Sequence, residues 1–596
     1  MQAGFPADLA ALYPDLDASF LQDAGAGFEP VRIAGGEALV RMGDDSDALY
    51  ILMRGRLVAT RTDDEGNTVR LGEIGRGEII GEMSVLTGAR RTATVTALRD
   101  SQLVRMPKDA FLRFMQHHPS VLRQFVQILI HRLGDRTPGR REKLATIALV
   151  PAGEAAAVVP FARSLVAALA THVSTRLIDR DSVRRQFPGG LDEANETQAA
   201  GWLNDLELEH GVLVYACDTT ADRWTQLCLR QADRVLLVAR TGDVPTPNRI
   251  EAQLHAGEAI PTLRGCELVL LHPADGGLPR DSDRWLAGRR LRRHHHLRSG
   301  CDADLQRLCR HLLGRSVGLV LGGGGAKALA EIGVLRAFEA SGVPVDVIGG
   351  TSMGAVIGAL AAHGRCADDV HATLRDALKL RPFSGVTLPV VSLLSGRRLA
   401  RTMQFLFGDV RIEDLWRRYF CVSCNLTRGA VDTRSRGELA KWVTASNAIP
   451  GIVPPVLEHG ELYVDGGLLN NLPADAMATL NAGPVVAVNV SSVAEMKAGV
   501  PDDTDLSGWS LLFDGLRANA SRGRIPRLGR ILVRSMLLAS SNHSQAMRAH
   551  AALYLTPPVK GVDPNDWHAL DTLVESGYRY TMEALERWDD RPQTGL

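Results

Sequence analysis

The chain has 596 residues and carries 68 Lys+Arg against 68 Asp+Glu, so it lacks the basic excess of a dedicated nucleic-acid binder. Hydrophobic residues at 45% and charged residues at 23% are ordinary globular values, which exclude a disordered chain, and the length predicts about three or four domains. All eight cysteines lie after residue 216 without the spacing of a disulfide framework, so a reducing, cytoplasmic setting is expected. The opening residues MQAGFPADLAALYPDLD have no basic start and no long apolar core, and no stretch reads as a membrane span. Glycine, with 58 residues, exceeds its usual share of about 7%. Ten of these glycines fall between Gly35 and Gly88 and eleven between Gly318 and Gly358, which marks two regions for closer reading.

From about residue 28 to 105, short apolar runs are divided by glycine turns. Ala48–Leu52 precedes Arg54-Gly55-Arg56, and Leu57–Arg61 precedes Asp63-Asp64-Glu65-Gly66-Asn67, which predicts an all-β roll. Lys108–Arg132 has helical periodicity, and the polar, basic stretch 134–143 is a linker. Between 144 and 313, the runs Ile147–Val150, Arg176–Ile178, Val212–Ala216, Val235–Val238 and Glu267–Leu271 alternate with helical patterns. This predicts a parallel sheet with crossover helices. Pro151-Ala152-Gly153-Glu154-Ala155 lacks the Gly-Lys-Ser/Thr ending of a phosphate loop, so no nucleotide triphosphate site is expected there. A second α/β unit begins at Val317–Leu321, and the tail after about Leu480 reads as helical apart from a strand at Val485–Val490. The predicted architecture is multidomain α/β, with a roll over 1–135, a connecting domain over 144–313, a catalytic domain over 316–480 and a helical extension over 481–596.

In the first glycine-rich region, Ile80-Gly81-Glu82 opens a short helical turn that ends at Gly88, followed by Ala89-Arg90-Arg91-Thr92-Ala93. Backbone N–H groups at a helix start and a guanidinium suit a phosphate, and a nearby carboxylate suits ribose hydroxyls. Taken alone, Glu82 and Arg91 read better as a surface salt bridge in a turn. The segment resembles the phosphate-binding cassette of the cyclic nucleotide-binding domain, as residues 28–135 do throughout, and Gly43-Asp44 and Ala48–Gly55 also fit that domain's pattern. The resemblance implies cyclic AMP or cyclic GMP as a regulatory ligand. Gly81 would open the turn, Glu82 would hold the ribose 2′-hydroxyl, Arg91 the cyclic phosphate, and Thr92 would add a hydroxyl to the phosphate or base. Arg90 stands where a proline is common.

In the second region, Val345–Ile348 leads into Gly350-Thr351-Ser352-Met353-Gly354 and then a small-residue helix, the arrangement of a nucleophile elbow. Glycines beside Ser352 let the backbone turn sharply and expose the hydroxyl at a helix N-terminus, whose dipole favours developing negative charge. Upstream, Gly322-Gly323-Gly324-Gly325 follows a strand, and its N–H groups suit an oxyanion hole. Gly323-x-Gly325-x-x-Ala328 formally fits a dinucleotide fingerprint, but the acidic residue expected at the end of the second strand is missing. Asp465 closes an apolar run and is followed by Gly466-Gly467, which makes it a candidate base; alone, such a motif is usually a turn.

Gly322–Lys327, Gly350–Gly354 and Asp465-Gly466-Gly467 occur in the order found in patatin-like phospholipases, which this chain resembles. Further stretches look like the bacterial relatives of neuropathy target esterase: 224–233, His294–His296, 423–427, 445–455 and Asn471-Leu472-Pro473. The resemblance covers most of the chain. It implies a patatin-type three-layer α/β/α catalytic domain and a Ser–Asp dyad, with Ser352 as nucleophile and Asp465 as base. The implied substrates are carboxylic esters of phospholipids and lysophospholipids, met at a membrane surface that the protein contacts peripherally. No metal or required cofactor is implied. Two positions depart from the family pattern: Ala328 replaces a glycine and Glu331 a histidine, which touches catalytic rate more than fold.

The remaining features carry weaker expectations. Arg289–Arg298, with three histidines, reads as a solvated connector between domains. Arg527, Arg530 and Arg534 share a helical face opposite Leu528, Ile531 and Leu532, and Pro382–Leu394 is a candidate lipid-facing lid. Rival readings are a Ser-Asp-His triad completed by His543, His550 or His568, and a cyclic nucleotide sensor with a degraded, inactive lipase domain.

Overall fold

The structure is a computed structural model that describes residues 29–62, 68–111, 145–153, 158–256, 266–481, 483–491, 538, 543–559 and 561–588. Most of the predicted helix at 108–132, the whole linker 134–143 and the Arg527–Arg534 stretch lie outside the described residues. The chain forms two compact units, one of residues 1–277 with 281–314 and the other of 278–280 with 315–596.

The first unit opens with a roll of two four-stranded antiparallel sheets. One has the order Glu29–Ile33, Ser101–Pro107, Ala48–Arg54, Ile79–Ile80; the other runs Ala38–Val40, Thr94–Ala97, Leu57–Thr62, Thr68–Ile74. Their inner faces meet in a core that includes Leu52, Leu57, Ile80, Ala97 and Leu103. Gly55 turns the chain between two of these strands at φ +105°, and a Cβ there would fall 2.2 Å from the Ser101 hydroxyl.

The same unit continues in a six-stranded, all-parallel sheet. Its order is Thr175–Ile178, Val212–Ala216, Thr146–Pro151, Arg234–Arg240, Cys266–His272, Leu291–Arg298. Because side chains alternate along a strand, Ile147 and Leu149 enter one core while Ala148 and Val150 enter the other. Helices cover both faces, which is why these strands read as unbroken apolar runs.

One expectation is corrected here. Arg289–Arg298 is not a solvated connector, because Leu291–Arg298 is the edge strand of this sheet. The buried carboxylate of Glu267 on the neighbouring strand faces Arg234 at 3.5 Å and Arg293 at 3.9 Å, and bonds His295 at 2.8 Å. Arg289 is itself buried, on Glu251 and the carbonyls of Pro245 and Trp285. A strand rich in cations, of which Arg293 and His295 meet buried Glu267 and Arg298 meets buried Asp304, carries no apolar signature.

Charge also joins the roll to the parallel sheet. Asp233, at the start of a central strand, lies 3.1 Å from Arg56 and 3.2 Å from Arg99, and it accepts the N–H groups of Ala145 and Thr146. Arg99 is 2% exposed and also bonds both oxygens of Glu207. Burial alone would push the Asp233 carboxyl up; the two guanidiniums and two N–H groups hold it below its ordinary value.

The second unit is built on a mixed sheet. Its order is Val456–Glu458, Glu461–Asp465, Arg418–Asn425, Val347–Thr351, Gly318–Leu321, Val485–Val488, Leu553–Leu555, and Ala430–Arg434 also pairs with Arg418–Asn425. The first two strands run antiparallel and the last five are mutually parallel. In the stretch expected to be helical apart from one strand, that strand is present as Val485–Val488, and a second, unexpected one, Leu553–Leu555, also joins the sheet. Helix Leu570–Glu586 packs on helix Ala330–Ala340. That contact is backbone to backbone: a Cβ at Gly333 would sit 2.0 Å from Val574 O, and one at Gly577 would sit 2.0 Å from Ala330 O. Leu553–Leu555 spans three residues, too few to show a period.

Asp233→Ala leaves two buried guanidiniums without their shared carboxylate. It should cost about 3–5 kcal/mol, seen as a lower midpoint in chemical unfolding, whereas Asp205→Ala at the exposed Arg54 pair should cost under about 1 kcal/mol.

Candidate active site

Strand Val347–Thr351 ends at the sheet's carboxyl edge and helix Met353–Ala362 begins one residue later, so Ser352 must make the whole turn. It does so at φ 55°, ψ −127°, outside the regions that non-glycine residues normally adopt. Gly350 and Gly354 allow this. A Cβ on Gly350 would fall 2.7 Å from the backbone of Gly354, and one on Gly354 would fall 2.5 Å from Leu321 O. Ser352 is partly exposed while the neighbouring helix is buried.

Asp465 terminates strand Glu461–Asp465 opposite Ser423 in the antiparallel pair. Its carboxylate is fully buried; Oδ2 accepts the Ser352 hydroxyl at 2.7 Å and Oδ1 accepts the Gly467 N–H at 2.8 Å. Burial raises its pKa to about 7, against the opposing pull of these two donors. None of His543, His550 and His568 is bonded to Ser352 or Asp465 among the described residues, so the structure brings together two members of a triad and no third.

The turn is held from outside by residues to which the sequence assigned no role. The Ser352 N–H donates to Ser446 Oγ at 2.9 Å, and that hydroxyl donates to Val422 O at 2.6 Å. Asn447 Nδ2 donates to Ser352 O at 3.0 Å. They lie in the 445–455 stretch that carries the family resemblance, but a polar pair at the end of helix Leu439–Ser446 is also an ordinary helix end, so their role becomes visible only in the fold.

The glycine loop lies against the serine: a Cβ on Gly323 would fall 3.0 Å from Ser352 Cβ. Its amides divide into two pairs. Gly322 N–H is committed to Val488 O at 3.1 Å and Gly323 N–H to Asn471 O at 3.2 Å, while Asn471 Nδ2 binds Gly323 O at 2.9 Å. No acceptor is bonded to the N–H of Gly324 or Gly325 among the described residues. The expectation of four available amides is thereby narrowed to two. Gly325 itself needs its φ of +58° and its close approach to Pro564 O.

The two departures from the family pattern fall out differently. Ala328 sits buried in the 3₁₀ turn Gly325–Leu329 without a left-handed φ, so its β-carbon imposes no strain. Glu331 is fully buried behind the loop, and neither carboxylate oxygen has a hydrogen-bond partner. Burial without a hydrogen-bond partner pushes this carboxyl well above the usual range and favours its neutral form.

In the roll, Gly81 at φ 85° starts the six-residue helix Glu82–Thr87, and Glu82 and Arg91 are both buried. Arg91 donates to Ala48 O at 2.5 Å and Gly81 O at 3.3 Å and lies over the Tyr50 ring, while Thr92 is exposed. Gly81, Glu82 and Arg91 thus converge.

Glu267, His295 and His311 also converge, in the parallel sheet. One Glu267 oxygen takes both Nε2 atoms, at 2.8 and 2.9 Å, and the other faces Arg234 and Arg293. This carboxylate is held well below its ordinary value; burial opposes that shift and the histidines and arginine drive it. Two guanidiniums already neutralise it, and a dication would add charge to a buried cationic cluster. The group is an ionic joint at the sheet's edge.

Residues 319–478 match the family described as patatin-like phospholipase, residues 143–313 the Neuropathy Target Esterase family P-loop like domain, and residues 30–118 the cyclic nucleotide-binding domain. The fold is accordingly a cyclic nucleotide-binding roll followed by α/β domains, the last of them patatin-like. The chain is 32% identical to human (Homo sapiens) "Patatin-like phospholipase domain-containing protein 6", covering 96% of this chain and 45% of that protein. It is 30% identical to "Lysophospholipase nte1" of Aspergillus niger, covering 94% and 42%. The chain is a patatin-like phospholipase homologue of the neuropathy target esterase type, and it spans less than half the length of these curated relatives. The roll is similar to the catabolite activator protein of Thermus thermophilus, at 27% identity over 21% of this chain and 58% of that one, with a TM-score of 0.20.

An acid whose pKa is raised by folding stabilises the fold fully below its unfolded value, and that contribution is lost as pH rises through the folded value. Glu331→Gln, which cannot ionise, should match the wild-type thermal midpoint at roughly pH 4 and exceed it increasingly as the pH is raised.

Proposed function

We propose that this protein is a serine esterase that hydrolyses carboxylic ester bonds of phospholipids and lysophospholipids at a membrane surface. The observation that carries the reading is the 2.7 Å hydrogen bond from Ser352, at a strained strand-to-helix turn, to the buried carboxylate of Asp465. Support comes also from the patatin-like match over 319–478 and from relatives named as lysophospholipases.

In this mechanism Asp465 takes the Ser352 proton as Oγ attacks the ester carbonyl carbon. The resulting oxyanion is met by the N–H groups of Gly324 and Gly325, with Gly322 and Gly323 holding the loop in place. Asp465 then returns the proton to the departing alcohol, leaving Ser352 acylated. Water attacks the acyl carbon and gives its proton to the same carboxylate; collapse releases the fatty acid and restores Ser352. One carboxylate serves as base and then acid in each half-reaction, which suits a group whose pKa lies near neutrality.

The roll is proposed to take cyclic AMP or cyclic GMP as a regulatory ligand, with Glu82 on the ribose and Arg91 and Thr92 on the phosphate. Arg91 would exchange its bonds to Ala48 O and Gly81 O for phosphate oxygens. The cyclic nucleotide-binding match over 30–118 supports this. Among the described residues no helix is long and apolar enough to cross a membrane. The proposed setting is cytoplasmic, with peripheral contact to lipid.

Lysophospholipid hydrolysis by the full chain tests the reading. Ser352→Ala and Asp465→Asn should each lower kcat by roughly 10³-fold or more, and unchanged turnover by Ser352→Ala would overturn it. On a soluble ester, kcat/KM should rise about tenfold per pH unit below pH 7 and level off above it, because only the ionised carboxylate accepts the serine proton. Any change in rate produced by cyclic AMP or cyclic GMP should vanish in Arg91→Ala.

A further inference from the structure

Away from the serine, one short loop of the catalytic unit presents four aliphatic side chains to solvent. Val386, Leu388, Val390 and Val391 are 89%, 79%, 79% and 65% exposed. The loop is not a loose coil. Val386 and Leu394 form an antiparallel bridge, the Thr387 N–H donates to Leu393 O at 3.2 Å, and the Ser395 N–H donates to Gly385 O at 2.9 Å. This narrow stem holds out the tip Leu388-Pro389-Val390-Val391, and Pro389 removes one N–H that lipid would leave unsatisfied.

The stem is fixed to the backbone that supports the serine. Leu393 N–H donates to Gly451 O at 2.9 Å and Leu394 N–H to Ile452 O at 2.8 Å. Ser446 and Asn447, which hold the Ser352 turn, lie just upstream on that same segment. On the other side of the stem, Gly396 caps helix Arg397–Phe407, and Arg398 donates to Ser384 Oγ at 2.6 Å. Arg397, Arg398 and Arg401 are exposed, as is Phe405, and no carboxylate pairs with Arg397 or Arg401 among the described residues.

We propose that the loop Val386–Val391 is the element that docks this protein on an anionic phospholipid surface, its aliphatic tip entering the acyl region while Arg397 and Arg401 meet the headgroups. The chemistry favours lipid over a protein partner. The tip offers flexible aliphatic bulk without the Trp or Tyr anchors of a protein hot spot, and unpaired cations border it as a headgroup layer requires. The inference rests on the esterase reading for the substrate, because docking of the catalytic unit matters most when the ester stays in the surface.

Flotation of the full chain with phosphatidylcholine vesicles, with and without phosphatidylserine, tests the proposal. The triple variant Leu388→Ser, Val390→Ser, Val391→Ser should keep the wild-type thermal midpoint and lose vesicle binding by about tenfold or more. Arg397→Ala with Arg401→Ala should abolish the preference for phosphatidylserine and its sensitivity to salt. The triple variant should hydrolyse a soluble short-chain ester at the wild-type rate and a vesicle-borne ester at least about tenfold more slowly. Vesicle binding unchanged by the triple substitution, or absent from the wild type, overturns the docking assignment. A wild type inactive on the soluble ester overturns the esterase reading instead, and the flotation result then stands by itself.

Discussion

Asp465 is completely buried, and the groups bonded to its carboxylate are one backbone N–H and one hydroxyl, with no cation among them. A carboxylate so placed is sensitive to small displacements of either donor, because burial works against its charge continuously. The architecture answers by fixing both donors to strand Arg418–Asn425. Gly466 lies so close to Val422 O that a Cβ there would fall 2.4 Å away, and the Ser446 hydroxyl that takes the Ser352 N–H donates to the same carbonyl. One carbonyl thus meets both the turn after Asp465 and, through Ser446, the turn at Ser352. The glycines around them are needed because backbone must approach backbone at these points.

The parts of this site that depend on backbone conformation were legible in the amino-acid sequence. Only glycine satisfies the close approaches at 322–325, 350, 354 and 466, and such positions cannot be disguised. The strands of the parallel sheet were equally legible, since burial on both faces demands unbroken apolar runs such as Val212–Ala216. What escaped was what depends on partners distant in the chain. Ser446 and Asn447 are polar residues at a helix end until the fold sets them beside Ser352. Leu291–Arg298 alternates nothing apolar, because its cations find Glu267 and its flanking Arg289 finds Glu251. Leu553–Leu555 is too short for any period to show. Glu331 was visible as a departure, but its isolation from every hydrogen-bond partner was not.

The first unit shows the opposite use of charge. Where Asp465 has no bonded cation among the described residues, Asp233 gathers two arginines and the start of a strand, and Glu267 gathers two arginines and two histidines. Pairs of this kind add little net stability compared with apolar packing, yet they are intolerant of any other arrangement. The domain over 143–313 carries the P-loop name of its family without the Gly-Lys-Ser/Thr chemistry. At the end of its first strand, Asn248 Nδ2 binds Pro151 O at 2.7 Å, so a side-chain amide closes the edge where a phosphate loop would open.

The contact of Gly333 with Val574 and of Gly577 with Ala330 has a consequence for when the site comes into being. Helix Ala330–Ala340 carries Glu331 and follows directly from the glycine loop, and the loop's Ala326 N–H donates to Pro564 O at 2.7 Å. The loop therefore takes its final shape against residues made long after Ser352 and Asp465. During synthesis, Ser352 and Asp465 both leave the ribosome before the surface that braces the loop exists. The nascent chain holds Ser352 and Asp465 before the glycine loop is braced, so the proposed site is completed late, with helix Leu570–Glu586.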